Sequence, residues 1–349
     1  MGVRERIRTG PKSSDFVQGD KIAEIERLTR DVFDATPNRV AFPGGAHRSA
    51  FIVDIADGLY VIAQRENAND AQLEGIVLKT LSPTGHVPEF VAHRGAWLIQ
   101  QCVPGQRLPI LIDEAVTSEQ RLTLATQALD ALATICEAAH SASLQHRTPR
   151  LGVRPGWLQD RIMLPGSVSR RLDIAPPEID PREIHKVMDV KHRHFIKWDS
   201  RPGNALFQDG RMVWFDWEDA GRRHAIDDLV CFFADEWLQL DIDDEDRLID
   251  HMLERFAPNQ KPDSAMHYFH VAGLVQIGFR LQLAVKYWSR ESEWWDRQMC
   301  LSGDKVGVTP EEVTRLVRRG LRWSDRQQML KGYQPWLRNI AAKLDLAIS

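Results

Sequence analysis

Apolar residues recur at threes and fours over 21–33, at Ile22, Ile25, Leu28 and Val32, and this spacing predicts an amphipathic helix. The period then shortens. Residues 51–55 and 59–64 read as two strands joined through Ala56, Asp57 and Gly58, because Asp-Gly between β-prone runs favours a tight hairpin turn. Over 69–81 a stripe of Leu73, Ile76, Val77 and Leu81 restores the helical period, with Asn69 as the expected cap, Gln72 at the capping-box position and Glu74 at the stripe's edge. Residues 97–103 are β-like again and end at Pro104-Gly105, which marks a boundary near 104.

The pattern beyond that boundary is mostly helical. Thr117 and Gln120 form a capping box ahead of Leu122, Ala125, Leu129, Leu132, Cys136 and Ala139, which share one face. Residues 206–207 and 212–215 flank Asp209-Gly210, a second hairpin signal. From there helical periodicity is expected to the end, including 265–288 and a helix whose start combines Thr309, Pro310 and Glu312. The expected organisation is a loose stretch over 1–20, a small β-rich part over 21–104 and a larger helical part over 105–349.

Composition narrows the function classes. At 349 residues the chain exceeds what one core usually serves, and 43% hydrophobic with 27% charged residues is ordinary for a globular protein. A formal net charge of -4 gives no global basic footprint, so nucleic acid is not an expected partner. No apolar run approaches the ~20 residues that span a bilayer, and residues 1–14 lack a signal-peptide core, so a cytoplasmic protein without membrane contact is expected. Cys102, Cys136, Cys231 and Cys300 form no C-x-x-C pair and read as core thiols, and Trp288, Trp294 and Trp295 read as filling of a helical core. The G-x-x-x-x-G-K-[ST] phosphate loop is absent. The acidic run over 241–246 lacks the glycine and terminal glutamate of a calcium loop and is expected to serve a helix N-terminus.

The chemistry concentrates between residues 195 and 229. Asp199 is followed five residues later by Asn204 and, across the short hairpin, by Asp216. The hairpin carries the chain out and back, so Asn204 and Asp216 can converge on one hard cation, for which a neutral carbonyl and one carboxylate are suitable ligands. Asp199 would then accept a hydrogen bond from a substrate hydroxyl and orient it for attack on phosphorus.

Asp199-x-x-Pro202-Gly203-Asn204, then Phe215-Asp216-Trp217-Glu218, then Asp227-Asp228-Leu229, resembles the aminoglycoside phosphotransferase and choline kinase family. The resemblance implies an α+β, protein-kinase-like, two-lobed fold with a β-rich N-lobe and a mainly helical C-lobe. It also implies ATP and Mg²⁺ as cofactors, a small hydroxylated or amino-bearing metabolite as acceptor, and Asp228 as the support of the catalytic loop. By the same resemblance Gly44, Gly45 and Ser49 would lie over the ATP phosphates, and Glu74 would pair with a cationic phosphate ligand. Gln101 to Val103 would then meet the adenine.

Two departures stand out. Lys197 occupies the place where the family has a histidine, and where the family has a lysine or arginine on the strand after the hairpin this chain reads Val61-Ile62-Ala63-Gln64-Arg65, in which only Arg65 could serve. The acceptor pocket is expected in the helical part, with Asp235, Glu236, Trp237 and the Trp288, Trp294 and Trp295 group as candidates. Acceptor identity and oligomeric state stay open. So do two alternatives: a pseudokinase that binds nucleotide or a partner, and an ATP-independent ligand-binding protein.

Overall fold

Residues 13–41, 49–55, 58–191 and 193–348 are described by the structure, a computed structural model. They fall into two compact units, Met1–Lys79 with Pro88–Cys102, and Thr80–Val87 with Val103–Ser349.

In the first unit, strands β1 (Arg39–Ala41), β2 (Ala50–Ile55), β3 (Gly58–Gln64), β4 (Phe90–Arg94) and β5 (Trp97–Gln101) form an antiparallel sheet in the order β1-β2-β3-β5-β4. Ile55 pairs with Gly58, as the hairpin signal requires, although Ala56 and Asp57 of the turn lie outside the described residues. Alternation turns Phe51, Val53 and Ile55 of β2 to one face, where they are buried with Ile62, Trp97 and Ile99. Helix α1 (Ser13–Phe33) contributes Ile25 and Leu28 to that core, each such side chain adding about 2 kcal/mol on burial. The helix starts eight residues ahead of the periodic stretch and takes in part of the segment expected to be loose. Periodicity marks only turns with a buried face, so it does not report such an extension.

Helix α2 (Ala68–Leu81) has a different cap from the one expected. Asn67, not Asn69, accepts the N–H groups of Asn69 and Asp70 through Oδ1, at 2.9 and 3.1 Å. Its own amide donates to the Asp70 carboxylate at 2.7 Å. Both asparagines are competent caps, but Asp70 answers Asn67 across the first turn, and this reciprocity replaces the expected role of Gln72.

The second unit holds strands β6 (Gln106–Arg107), β7 (His194–Ile196), β8 (Ala205–Gln208), β9 (Arg211–Trp214) and β10 (Gly221–Arg223). Its helices are α3 (Leu108–Glu114), α4 (Ser118–Ser141), α5 (Trp157–Ile162), α6 (Leu164–Leu172), α7 (Pro181–Met188) and α8 (Asp227–Phe233). They continue as α9 (Ile242–Phe256), α10 (Pro262–Glu291), α11 (Arg297–Ser302), α12 (Pro310–Asp325) and α13 (Tyr333–Lys343). Both halves of the Thr117–Gln120 capping box are made at α4, and Thr309 caps α12 with Pro310 in its first turn. The β8-β9 turn takes positive φ at both Asp209 (50°) and Gly210 (81°), the backbone that Asp-Gly tolerates best.

Expected helix gives way to strand once. β10 follows the hairpin directly and pairs antiparallel with β7, Gly221 opposite Ile196. Three residues are too few to register as a period, and the partner strand is remote in sequence.

Helix α10, 30 residues long, packs against α6, α8 and α12, with Phe269 edge-on to Trp323 at 5.0 Å. At the start of α9 the acidic run does more than complement a helix terminus. Glu245 is buried and receives Arg319 at 2.8 Å and also Arg322. Trp288, Trp294 and Trp295 are half-buried; Trp288 pairs with Trp294 at 5.8 Å, while Trp295 meets Tyr287 at 5.3 Å and packs against the small core cluster of Trp237, Cys300 and Leu301. Cys300 is buried, and Cys102, Cys136 and Cys231 are half-buried and unbridged. No helix among the described residues is long and apolar enough to cross a membrane.

Candidate active site

The loop between β7 and β8 is held by groups reaching in from three directions. From α8 the buried Asp228 carboxylate accepts the backbone N–H groups of Lys197 and Trp198, each at 2.8 Å, while its carbonyl accepts the Ser200 hydroxyl at 2.8 Å. Those bonds hold Trp198 at a φ of 74°, a conformation that a bulky side chain adopts only when its surroundings enforce it. The Asp228 carboxyl is pushed up to about 6 by burial, against the opposing pull of those two N–H donors.

Lys197 supplies the second hold. Its side chain is fully buried, and its ammonium donates to the main-chain oxygens of Asp199 at 3.0 Å and Asp216 at 2.5 Å, above the ring of Trp217. One cation thus ties together the two segments that carry the site's carboxylates. This lysine bridges the place where the resemblance calls for histidine, and three donors on a flexible stem allow it to reach both carbonyls.

The third hold is Arg201, which forks onto Asp304 at 2.8 and 2.7 Å and lies 3.5 Å from the Asp199 carboxylate. The adjacent Gly203 makes room for that fork, since a Cβ there would lie 2.5 Å from both Arg201 Nη1 and Asp304 Oδ1.

Within this frame Asn204 Nδ2 donates to the Asp199 carboxylate at 2.7 Å and to the Asp199 carbonyl at 2.9 Å. That orientation leaves Asn204 Oδ1 buried with no hydrogen-bond partner among the described residues. The Asn204 carbonyl accepts the Phe215 N–H at 3.0 Å, which brings the start of β8 beside the end of β9 and sets Asp216 one residue further on. Asp216 is half-buried and has a φ of 62°. An orphaned buried amide oxygen next to a strained carboxylate-bearing residue fits the donor set of a hard cation.

Burial would raise the Asp199 pKa, but Lys197, Arg201 and the Asn204 amide together outweigh it, and the carboxyl lies below the ordinary range. A carboxylate so stabilised stays ionised and is suited to accept a hydrogen bond.

Asp199 also lines a cavity of about 430 Å³ within the second unit. Trp157, Trp198 and Phe279 give it aromatic walls, and Arg161, Arg201, Arg223 and Arg280 give it cationic ones. Asp235, Glu236 and Trp237 are buried and do not line it. Glu236 instead holds Arg280 through two bonds, at 2.7 and 2.5 Å, with Asp235 3.5 Å away. Trp288, Trp294 and Trp295 do not line it either. Arg161, Arg201 and Asp304 were not among the residues singled out by pattern, because a motif records neighbours in sequence and Asp304 meets Arg201 from 103 residues away.

In the first unit, Arg65 follows β3, its N–H donating to the Ala96 carbonyl at 2.8 Å. Its guanidinium forks onto Glu74 of α2 at 2.5 and 2.9 Å, with side-chain exposures of 9% and 2%. Ser49 is exposed, and its carbonyl accepts the Gln64 N–H at 2.7 Å. The Gln101 N–H is taken by Glu89 at 2.9 Å, and Val103 is half-buried. Gly44 and Gly45 lie outside the described residues.

No family model matches the sequence, and no curated protein matches it. Solved structures do: the chain has the kinase-like fold of an amicoumacin kinase and of choline kinases. An amicoumacin kinase in complex with AMP-PNP, Ca²⁺ and Ami superposes with a TM-score of 0.55 at 14% identity, over 82% of this chain and 95% of that one. The choline kinase LicA from Streptococcus pneumoniae gives 0.52 at 15% identity, covering 85% and 99%. A choline kinase from Cryptosporidium parvum Iowa II gives 0.51 at 12% identity, covering 90% and 99%.

Proposed function

We propose that this protein is an ATP-dependent O-phosphotransferase acting on a hydroxyl of a small molecule. The observation that carries the reading is the divided Asn204 amide: its nitrogen is spent on Asp199 while its buried oxygen is left for a cation. A structural asparagine in a closed turn would have both ends satisfied.

In this reading Asn204 Oδ1 and Asp216 hold Mg²⁺, whose contribution is to neutralise charge on the nucleotide phosphates. An amicoumacin kinase of the same fold was solved with AMP-PNP and Ca²⁺, which supports a nucleotide and a divalent cation here. Arg65, oriented by Glu74, serves the phosphates; Ser49 with Gly44 and Gly45 covers them, and Gln101 to Val103 meets the adenine. Asp199 accepts the hydrogen bond of the acceptor hydroxyl and orients its oxygen. The new bond joins that oxygen to the γ-phosphorus, the β,γ-bridging P–O bond breaks, ADP leaves with its electron pair, and the hydroxyl proton passes to Asp199 or to water. The low Asp199 pKa suits an orienting acceptor better than a strong base, in keeping with a loose transition state. Asp235, Glu236 and Trp237 act behind the acceptor cavity by fixing its wall.

The pseudokinase alternative draws on Lys197 and the missing strand lysine. Lys197 joins the two carboxylate-bearing segments and Arg65 is paired in depth, so neither position argues for lost turnover.

The test is ATP consumption with Mg²⁺ over a broad panel of hydroxylated acceptors, compared between the native chain and Asp199→Asn. An acceptor that stimulates the native chain should turn over about 10²- to 10⁴-fold more slowly in the variant, with ATP affinity retained. An unchanged rate in Asp199→Asn would remove this residue from the chemistry.

A further inference from the structure

The cations lining the acceptor cavity are not all paired within the protein. Four guanidinium groups line it. Arg201 has Asp304 and Asp199, Arg223 has Asp227 at 2.9 Å, and Arg280 has Glu236 and Asp235. Arg161 differs. It lies over the ring of Phe279 at 4.0 Å and that of Trp157 at 5.6 Å, and no carboxylate reaches it within salt-bridge distance among the described residues. Burial lowers its pKa against the opposing pull of Cys231, and Arg223 adds a lesser effect in the direction of burial. A half-buried cation that lies over two ring faces and lines the cavity lacks the anion that its three neighbours possess.

The cavity's own carboxylates do not fill that place. Asp199, Asp227 and Asp304 are committed to Arg201 and Arg223, and Asp219 is exposed. A volume of about 430 Å³ lies at the lower end of ligand pockets and suits a metabolite of sugar size.

We propose that the acceptor is a compact hydroxylated molecule bearing one anionic group, a carboxylate or a phosphate, which Arg161 receives against the Phe279 ring. The inference deepens the phosphotransferase reading and rests on it for the hydroxyl presented to Asp199. The anionic end is argued from the cavity alone. Arg161 is a specificity-determining residue in this account, since a guanidinium fork matches either anion and rejects an ammonium.

Four acyclic polyols of one carbon skeleton separate the possibilities: glucitol (neutral), glucamine (cationic), gluconate (a carboxylate) and glucitol 6-phosphate. Each is titrated against tryptophan fluorescence, for which Trp157 and Trp198 in the cavity wall are reporters, using the full chain and Arg161→Gln. At least one of the two anions should bind tenfold or more tightly than glucitol and glucamine, and Arg161→Gln should erase that margin. Whichever anion responds identifies the group that Arg161 takes. Equal affinity across the four, a preference for glucamine, no saturable response to either anion, or anion binding unchanged in Arg161→Gln would each overturn the proposal. The preference of the native chain is decisive even if the variant does not fold.

Mg-ATP consumption with the same four compounds keeps the two readings apart. Arg161-dependent anion binding without turnover of any acceptor counts against the phosphotransferase reading alone. Phosphorylation of glucamine in preference to the anions counts against the anionic acceptor alone.

Discussion

Two buried cations, one in each unit, are held in opposite ways. Arg65 meets a carboxylate: Glu74 takes it through two bonds. Lys197 meets main chain: two carbonyl oxygens, from Asp199 and Asp216, share its ammonium, and the nearest carboxylates are occupied by Asn204, Arg201 and backbone N–H groups. An ion pair fixes a side chain, whereas a cation on carbonyls fixes the path of the chain. The difference teaches why the β7–β8 loop tolerates lysine where its relatives in fold are expected to carry histidine. What that position requires is a donor long enough to bridge two backbone segments, and an ammonium meets the requirement.

Removing one partner from each arrangement should break the comparison where it is strongest. Glu74→Leu takes the carboxylate away from the Arg65 guanidinium in the first unit and should cost about 3 kcal/mol, read as a lowered midpoint in denaturant unfolding. Lys197→Met should cost less, about 2 kcal/mol, because it takes a donor from two neutral carbonyls, of which Asp199 keeps the Asn204 amide, and leaves no stranded cation. Its effect on turnover should exceed its effect on stability, since Asp199 and Asp216 lose their common tie. Equal losses of stability in the two variants, with turnover in Lys197→Met unchanged, would erase the distinction.

Acid sharpens the contrast further. His224, next after β10, stacks on Tyr268 at 3.8 Å, and its Nδ1 accepts the Ile226 N–H at 3.2 Å just ahead of the helix that carries Asp228. Burial, with smaller contributions from His194 and Arg223 and against the pull of Asp227, lowers its pKa to about 4. A group whose folded pKa is depressed stabilises the fold above its unfolded value and loses that contribution as pH falls through the folded one. The stability tied to His224 should therefore drain between about pH 6.5 and 4, reaching about 2 kcal/mol at pH 5. His224→Gln should show a shallower fall in melting temperature over that window than the native chain, and Glu74→Leu should run parallel to it. Parallel curves for native and His224→Gln would place the acid sensitivity elsewhere.

Much of this arrangement is legible in the sequence, and the reason lies in chain distance. The β2-β3 and β8-β9 hairpins and the Thr117–Gln120 box depend on residues two or three apart, so their signals survive in the local pattern. The spacing from Asp199 to Asn204 to Asp216 is of the same kind, because a hairpin converts it into proximity. The pattern does not single out Asn67 as the cap, because a second asparagine two residues on meets the same rule. Strands β7 and β10 are too short to show a period. Arg161 and the Arg201–Asp304 fork left no trace, since what marks them is the presence or absence of a partner brought in by tertiary packing. The sequence marks Lys197 as a departure but not its two hydrogen bonds, because nothing in a sequence tells a carbonyl-bridging lysine from a solvent-facing one.

The central claim is that Asn204 Oδ1 and Asp216 form a cation site that serves a nucleotide. Calorimetric titration of ATP with and without Mg²⁺, on the native chain, Asn204→Leu and Asp216→Ala, tests it before any acceptor is known. The account predicts ATP binding that Mg²⁺ strengthens at least tenfold in the native chain, and loss of that enhancement in both variants. Enhancement that survives in either variant, or ATP binding indifferent to Mg²⁺ in the native chain, would contradict it.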